Sequence, residues 1–448
     1  MDSQCAGCFL LPDWKILRDV NNQSLLIGSD NENLVNTITL TSSRAISRLA
    51  VISSKKEIKE RKGSVARKLR YLDSTTVRCD CGQQNINKTV PAINETRPSP
   101  VIILTYARSG SSFLGDIIRQ TEEVFYVFEP LHFLRISYRS MTFLNGTTRN
   151  SYQYLTEANN VINSFITCQL INLPLEFWNA GFEDMHGYQL QTFYTKFKSE
   201  RLVRYLKRME FQFAVEKLQL ECQKSKVVVI KTIRVPLFIV QGLFSQLKKL
   251  KILHLVRDPR PTIISQKKHI REIDSVSDYA ANLCFRISND ILMSNLLTVF
   301  YPLSIVRIRY EILTTNPIDM SKGIYKFLNL TFTDEIQNVI LMKTSSGKSG
   351  KGPLTTVKGN STEMVTKWRY SANYSFVESI DKQCQYLYKK IGYIQINNTA
   401  MLHNTSIPLF HRINPGGNGR ISGYGPLRTI VGAPMFQDFH HKTSELTV

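Results

Sequence analysis

Four short apolar runs divide the middle of the chain, and a polar or basic turn follows each of them. The runs are Val101–Tyr106, Val227–Ile230, Lys251–Val256 and Ser304–Arg309. Runs of this length are typical of strands that are buried on both faces of a parallel sheet. Between the runs, apolar residues recur at helical spacing, as they do from Phe113 to Ile118. This alternation of strands and helices predicts an α/β fold with a central parallel sheet flanked by helices.

The two ends of the chain lack this alternation. Residues 1–98 are rich in Ser, Asn, Lys and Arg and predict a basic, poorly ordered stem or extension. Its end is marked by Pro91–Pro100, which holds three prolines. Residues 401–448 are rich in Gly, Pro and His and predict an irregular tail. A single catalytic domain is therefore expected over residues 99–400.

Charge adds a class of partner to this picture. The 57 Lys and Arg residues exceed the 36 Asp and Glu residues, so the formal charge is +21. Such a charge attracts polyanions: nucleic acid, anionic glycans, phosphorylated cofactors or acidic membranes. Arg44–Arg70 alone holds ten basic residues against two acidic ones. Aromatic and basic residues are not interleaved as in RNA-binding modules, so no nucleic-acid partner is predicted.

Two features favour the secretory route. Nine Asn-x-Ser/Thr acceptors for N-glycosylation occur, at Asn22, Asn87, Asn94, Asn145, Asn329, Asn360, Asn373, Asn397 and Asn404. The eight cysteines are an even number, as disulfide-bonded proteins often have. Neither a membrane span of about 20 apolar residues nor a signal peptide is predicted from the chain as it stands.

Two closely spaced cysteine pairs, Cys5-x-x-Cys8 and Cys79-x-Cys81, are candidate zinc ligands. Structural zinc sites use paired C-x-x-C units at closer spacing. We therefore predict no metal site.

The loop after the first apolar run has the residues of an anion site. Arg108-Ser109-Gly110-Ser111-Ser112 lies where a strand ends and the helical pattern of Phe113 begins. Unpaired N–H groups at a helix start favour a bound phosphate, and a glycine lets the backbone turn tightly beside it. Arg108 adds a fork of donors. No Lys follows Gly110, so this is not the Walker A loop that binds Mg²⁺ and a nucleoside triphosphate in kinases and NTPases. A Ser-rich loop that only caps the helix is the alternative interpretation.

A second basic turn, Arg257-Asp258-Pro259-Arg260, follows another strand, and Ser265 lies on the helix beyond. The carboxyl ends of parallel strands meet at one edge of the sheet, so the two turns should face one ligand. Lys231 and Arg234 extend this positive rim. A 3′,5′-bisphosphorylated nucleotide carries phosphate at two separated positions and fits such a pair of cradles.

These motifs resemble those of Golgi carbohydrate sulfotransferases, in particular the galactose, N-acetylglucosamine and N-acetylgalactosamine 6-O-sulfotransferases. The resemblance rests on several ordered segments over about residues 100–395. They are Tyr-Ala-Arg-Ser-Gly-Ser-Ser-Phe at 106–113, Val-Phe-Tyr-Val-Phe-Glu-Pro-Leu at 124–131, Lys-Thr-Ile-Arg at 231–234, Leu-Val-Arg-Asp-Pro-Arg at 255–260, Arg-Tyr-Glu-Ile-Leu at 309–313 and Trp368 with Cys384 and Gly392-Tyr393.

The resemblance implies a P-loop-like sulfotransferase fold and transfer of a sulfuryl group from 3′-phosphoadenosine 5′-phosphosulfate to a glycan hydroxyl, without a metal. Residues 108–113 (Arg108, Ser109, Gly110, Ser111, Ser112 and Phe113) would bind the 5′-phosphosulfate. Arg257 and Ser265 would hold the 3′-phosphate, and Asp258, Pro259 and Arg260 would shape that turn. The family also implies a Golgi enzyme with one N-terminal span and a luminal catalytic domain.

The chain departs from the family at two site positions. Gln266 stands where the family usually has Arg, and His132 lies three residues after Glu129 rather than four. Cys168–Cys222 and Cys284–Cys384 are plausible bridges, because all four cysteines lie in the catalytic part of a chain that the resemblance implies is luminal, although the sequence does not fix the pairing.

A sugar hydroxyl is a weak nucleophile, and a positioned base speeds its attack by about 10²–10⁴-fold. Glu129, which follows the apolar segment Val124–Phe128, is the first candidate for the base, and His132 is the second. Arg108 would stabilise charge that develops on the transferred group. A structural ion pair between Glu129 and an arginine is the alternative role.

Two rival functions remain: a nucleotide-dependent kinase or NTPase, and a non-enzymatic polyanion-binding protein. Neither the acceptor sugar nor the oligomeric state is predicted.

Overall fold

The computed structural model describes residues 98–137, 139–179, 182–197, 208–269, 273–350 and 355–411, and the backbone of five strands within residues 14–71. The chain divides into two units, Met1–Ile93 and Asn94–Val448. The side chains of the expected stem, Cys5, Cys8, Cys79 and Cys81 among them, and the tail from residue 412 onwards lie outside the described residues.

The N-terminal unit contains an antiparallel sheet in the order β4-β3-β2-β1-β5. Its strands are β1 (Trp14–Asp19), β2 (Ser24–Ser29), β3 (Thr37–Thr41), β4 (Ala50–Ile52) and β5 (Leu69–Tyr71). Sequence reasoning predicted no strands in this region, because its apolar residues show only weak periodicity.

The second unit is built on a five-stranded parallel sheet in the order β12-β11-β6-β10-β7. Its strands are β6 (Ser99–Leu104), β7 (Val124–Phe128), β10 (Val227–Thr232), β11 (Lys251–Val256) and β12 (Ile305–Arg309). A small antiparallel hairpin, β8 (Ser140–Thr142) and β9 (Thr148–Asn150), lies outside it. The sheet confirms the predicted α/β fold, and each apolar run became a strand.

Helices connect and cover these strands. They are α1 (Ser111–Ile118), α2 (Leu134–Ser137), α3 (Tyr154–Ile166), α4 (Leu175–Trp178), α5 (Tyr188–Phe197), α6 (Arg208–Lys224), α7 (Leu237–Val240), α8 (Leu243–Gln246), α9 (Pro259–His269), α10 (Val276–Phe300), α11 (Tyr310–Thr315), α12 (Pro317–Leu328), α13 (Asp334–Ser345), α14 (Glu363–Thr366), α15 (Trp368–Ser371), α16 (Tyr374–Ile391) and α17 (Thr399–His403), with short 3₁₀ turns at Leu170–Asn172 and Glu183–Met185.

Alternate residues of the central strands face two separate hydrophobic cores. In β6, Ile102 and Leu104 belong to one core, and Val101 and Ile103 belong to the other. Each of these four side chains is fully buried. Burial on both faces explains why the strand is continuously apolar rather than alternating, as the sequence predicted.

Two disulfides fix helices around the sheet. Cys168 pairs with Cys222, and Cys284 pairs with Cys384, which confirms the expected pairing. The second bridge joins α10 to α16, which pack along each other. Disulfides of this kind occur in proteins that fold in an oxidising compartment.

Candidate active site at the carboxyl edge of the sheet

A cavity of about 530 Å³ lies at the carboxyl edge of the central sheet. Residues at or just beyond the carboxyl end of each of the five strands line it: Arg108, Glu129, Lys231, Arg257 and Tyr310. Open α/β sheets bind their ligands at this edge. The cavity is therefore the candidate site, and the topology brings there the segments that the sequence singled out.

The loop between β6 and α1 bends sharply under an aromatic ring. Gly110 has φ +90, and a Cβ on it would lie 2.2 Å from the ring of Tyr310. Only glycine satisfies both the backbone angle and this close contact. The amides of Phe113 and Leu114 close the first turn of α1 onto the carbonyl of Gly110. Gly110, Ser111, Ser112 and Phe113 all line the cavity, whereas the Ser109 hydroxyl points inward and donates to the carbonyl of Tyr106 at 2.6 Å.

Arg108, Arg257, Ser265 and Lys358 form what we call the cationic cluster. Arg108 donates from Nε to the hydroxyl of Ser265 at 3.0 Å, and Arg257 donates from Nη1 to the carbonyl of Arg108 at 2.9 Å. The Arg257 guanidinium also lies 4.3 Å from the ring centroid of Tyr310. Hydrogen bonds therefore connect the two basic turns directly, and the structure brings together Arg108, Arg257 and Ser265.

Like charges crowd one another in this cluster. Burial, together with the charge of Arg257, lowers the pKa of Arg108. The pKa of Lys358 is lowered first by burial and then by Arg108, Arg257 and Lys367. Unfavourable proximity of this kind is relieved when an anion binds between the cations. The cluster is thus suited to a ligand with several negative charges.

Asp258, Pro259 and Arg260 support the second turn from behind. Arg260 is fully buried, forms an ion pair with Asp258 at 2.8 Å and lies 3.6 Å from Asp381. Glu311 accepts the amide of Asp258 at 2.9 Å, and Pro259 begins α9. None of the three residues lines the cavity. Arg260 therefore does not extend the positive rim that the sequence suggested.

Gln266, the residue that departs from the family, links the two turns. Its Nε2 donates to the carbonyl of Ala107 at 2.7 Å, directly before Arg108. Its Oε1 is buried without a hydrogen-bond partner. The side-chain amide of Gln266 therefore connects α9, the helix that carries Ser265, to the loop that contains Arg108.

Glu129, Lys231, Arg234 and Phe182 form what we call the carboxylate cluster. Glu129 is 5% exposed and has φ +45, and Lys231 contacts its Oε1 at 2.5 Å. Arg234 Nε lies 3.3 Å from its Oε2, but neither of these two buried atoms has a hydrogen-bond partner. A group that both donates and accepts a hydrogen bond would satisfy both atoms, and a hydroxyl is such a group.

His132 lies behind this cluster rather than on the cavity wall. Its Nδ1 accepts a hydrogen bond from Nη2 of Arg234 at 2.8 Å. Burial lowers the pKa of His132, and the charge of Arg234 lowers it further. The ring is therefore neutral near pH 7 and orients Arg234.

An apolar lining completes the cavity and was missed by sequence reasoning. It comprises Pro261, Ile264, Met364 and Trp368. The indole of Trp368 is fixed, because its Nε1 donates to the carbonyl of Val365 at 2.9 Å. Lys358, Lys268 and Phe182 were missed as well. These residues come from separate segments with no common pattern, although Trp368 belonged to a motif that the sequence had marked.

Some features found in other sites do not occur among the described residues. None of the helices in the ranges given above is long and apolar enough to cross a bilayer. In the same part of the chain, no group of three or more His, Cys, Asp or Glu side chains is arranged to hold a metal ion.

The chain is similar in sequence to several known proteins. A family model described as a sulfotransferase domain matches residues 98–392, which include every cavity residue named above. Carbohydrate sulfotransferase 1 of Mus musculus is 24% identical over 355 residues, which cover 70% of this chain and 84% of the relative. Carbohydrate sulfotransferase 3 of Homo sapiens is 22% identical and covers 69% of this chain and 70% of the relative. Among solved structures, the sulfotransferase domain from the Synechococcus PCC 7002 olefin synthase matches with a TM-score of 0.38 at 16% identity, over 65% of this chain and 95% of that one.

Proposed function

The chain belongs to the sulfotransferase domain family, and on that premise we propose that it transfers a sulfuryl group from 3′-phosphoadenosine 5′-phosphosulfate to a glycan hydroxyl. The names of its relatives, the carbohydrate sulfotransferases, support a glycan as the acceptor. The observation that carries the proposal is the cavity itself, which is lined by both a crowded cationic cluster and a buried carboxylate with one oxygen that forms no hydrogen bond. The 6-hydroxyl of Gal, GlcNAc or GalNAc is the acceptor position that the family resemblance favours.

The cationic cluster would hold the donor by its charges. The N–H groups at the start of α1 and the Arg108 guanidinium would bind the 5′-phosphosulfate, since the first turn of α1 carries no acidic residue. Arg257 and Ser265 would bind the 3′-phosphate. Arg257 Nε is buried without a hydrogen-bond partner, as expected for a donor that a ligand completes. The apolar lining around Trp368 would provide a surface against which the adenine ring of the donor packs.

The carboxylate cluster would handle the acceptor hydroxyl. Glu129 Oε2 accepts the proton as the hydroxyl oxygen attacks sulfur, and the bond between sulfur and the 5′-phosphate oxygen breaks. The electron pair of that bond leaves on the phosphate, where Arg108 and the α1 amides stabilise the charge. Arg234 Nε is placed to donate to the hydroxyl oxygen, and Lys231 balances the charge of Glu129. His132 has the lesser role of orienting Arg234.

The compartment we propose is the Golgi lumen. The two disulfides support an oxidising environment. Several glycosylation acceptors lie on the surface, among them the exposed Asn145, Asn329 and Asn404. The division into a stem over residues 1–98, a catalytic domain over residues 99–400 and a tail belongs to the same proposal.

A transfer assay tests the function. The full chain is incubated with the ³⁵S-labelled donor and a panel of glycans that end in Gal, GlcNAc or GalNAc, with and without EDTA, and the labelled position is mapped. We expect EDTA-insensitive label on at least one glycan. If the chain instead transfers ³²P from labelled ATP, and EDTA abolishes this transfer, the protein is a kinase. Glycan binding that needs no nucleotide and weakens steeply with salt would identify a polyanion-binding protein.

A further inference from the structure

Phe182 is an aromatic residue in an unfavourable backbone conformation beside the carboxylate cluster. It has φ +69 and ψ +23, which lie in the left-handed region that bulky residues seldom adopt. It lines the same cavity as Glu129, Lys231 and Arg234. Strained residues of this kind persist where the surroundings hold them, and they concentrate at functional sites.

The segment after Phe182 is anchored to two elements of the site. Arg119, which caps the carboxyl end of α1, donates from Nη1 to the carbonyls of Asp184 and His186, at 3.0 and 2.6 Å. The amide of Phe128, next to Glu129, donates to His186 Nδ1 at 3.1 Å. The amide of Gly187 donates to the carbonyl of Tyr126 in β7 at 2.9 Å. The position of Phe182 is therefore set by the same strand and helix that position the carboxylate and the anion loop.

The ring itself is held from the side. Phe128 meets it in an edge-to-face arrangement at 5.3 Å between centroids, and His132 does so at 4.7 Å. The side chain nevertheless stays partly exposed and contributes to the cavity wall. A ring that is fixed by its neighbours and still open to a ligand provides contact area at little cost in conformational entropy.

We propose that Phe182 is the platform on which the acceptor sugar ring stacks, so that it determines specificity for a pyranose acceptor. The inference rests on the proposed function of the site. A pyranose presents weakly positive C–H groups on one face and hydroxyls at its rim. The negative face of an aromatic ring attracts such C–H groups, and the unpartnered Glu129 Oε2 and Arg234 Nε receive a rim hydroxyl. Apolar area combined with a few placed polar groups is the usual composition of a small-molecule site.

Substitutions at position 182 test the platform. Phe182→Gly removes the ring and also accepts the left-handed backbone without strain, so the fold should not suffer. Phe182→Leu keeps much of the volume without the π face, and Phe182→Trp keeps the face. We expect the KM for the glycan acceptor to rise about 5- to 10-fold in the Gly and Leu variants and to stay near wild type in the Trp variant. The affinity for 3′-phosphoadenosine 5′-phosphate should not change in any of the three variants.

The results separate this inference from the function on which it rests. If the wild-type chain transfers label to no glycan, the proposed function fails. If it does transfer label, and Phe182→Gly and Phe182→Leu keep the wild-type acceptor KM, the platform is refuted. Equal losses of acceptor KM and nucleotide affinity, or a matching fall in melting temperature in both variants, would also refute it, because a merely structural role would have that effect.

Discussion

The two charged clusters of the cavity differ in how far their polar groups are already satisfied. In the cationic cluster, Arg108 and Arg257 are held by Ser265 and by a backbone carbonyl, and their charges repel each other. In the carboxylate cluster, Glu129 is paired with Lys231 and Arg234, but Glu129 Oε2 and Arg234 Nε form no hydrogen bond. The first arrangement is suited to a polyanion that cancels the repulsion. The second is suited to a hydroxyl that fills a hydrogen-bonding gap. On this difference rests our proposal that the donor binds the cationic cluster and the acceptor binds the carboxylate cluster.

The largest loss is expected from the cationic cluster. Arg108→Ala should lower the rate of sulfuryl transfer about 10³-fold, because a donor aimed at developing charge is removed. Lys249→Ala, which removes one exposed surface charge, is the matched control and should stay near wild type. Initial rates with the ³⁵S-labelled donor measure both. Equal rates in Arg108→Ala and Lys249→Ala would mean that only the overall charge matters.

A smaller loss is expected at Arg257, and it should appear in binding. Arg257→Ala should weaken binding of 3′-phosphoadenosine 5′-phosphate about 10²-fold, because a charge-assisted fork to phosphate is lost. Arg257→Lys keeps the charge but loses the paired N–H donors, so its Kd for the nucleotide should lie between those of wild type and Arg257→Ala. Titration calorimetry measures the Kd. An Arg257→Ala variant that keeps nucleotide affinity but loses acceptor binding would reverse the assignment of the two clusters.

The two clusters should also differ in how they respond to low pH. A buried neutral histidine, His186, accepts the amide of Phe128 next to Glu129 and so supports the carboxylate cluster. Burial, with the nearby charge of Arg119, lowers the pKa of His186 from 6.5 to about 3. Below pH 6.5 the unfolded chain takes up a proton that the folded chain refuses, so stability falls as the pH falls. From pH 7 to pH 5 this histidine should cost about 2 kcal/mol of unfolding free energy.

Urea unfolding of wild type and His186→Asn across this pH range tests that contribution. Asn keeps an acceptor for the amide of Phe128 but does not titrate. The Asn variant should show a flatter dependence of unfolding free energy on pH. Parallel curves for the two proteins would remove His186 as the cause.

The central sheet was predictable from sequence, because strands buried on both faces leave continuous apolar runs. The position of the Arg108–Ser112 loop at the cavity was predictable for a similar local reason, since Arg108 and Gly110 lie between the end of β6 and the start of α1. The inward orientation of the Arg260 side chain was not predictable, because in the sequence Arg260 cannot be distinguished from Arg257 as a cation of the same turn. Only packing shows that it turns inward to Asp258 and to the distant Asp381.

The apolar lining and Phe182 could not be predicted for a different reason. Met364, Trp368 and Phe182 come from segments with no shared period, and their meeting depends on how the connections between strands fold. The Cys168–Cys222 and Cys284–Cys384 pairs were expected, but their alternatives could be excluded only when helices α10 and α16 were seen side by side.

The most direct test of the division between the two clusters is a double measurement on Glu129→Gln. This isosteric change removes the proton acceptor and leaves the cationic cluster intact. We predict that kcat for sulfuryl transfer falls about 10²–10⁴-fold, while the Kd for 3′-phosphoadenosine 5′-phosphate is unchanged or tighter. Retained kcat, or a loss of nucleotide affinity as large as the loss of kcat, would contradict the account.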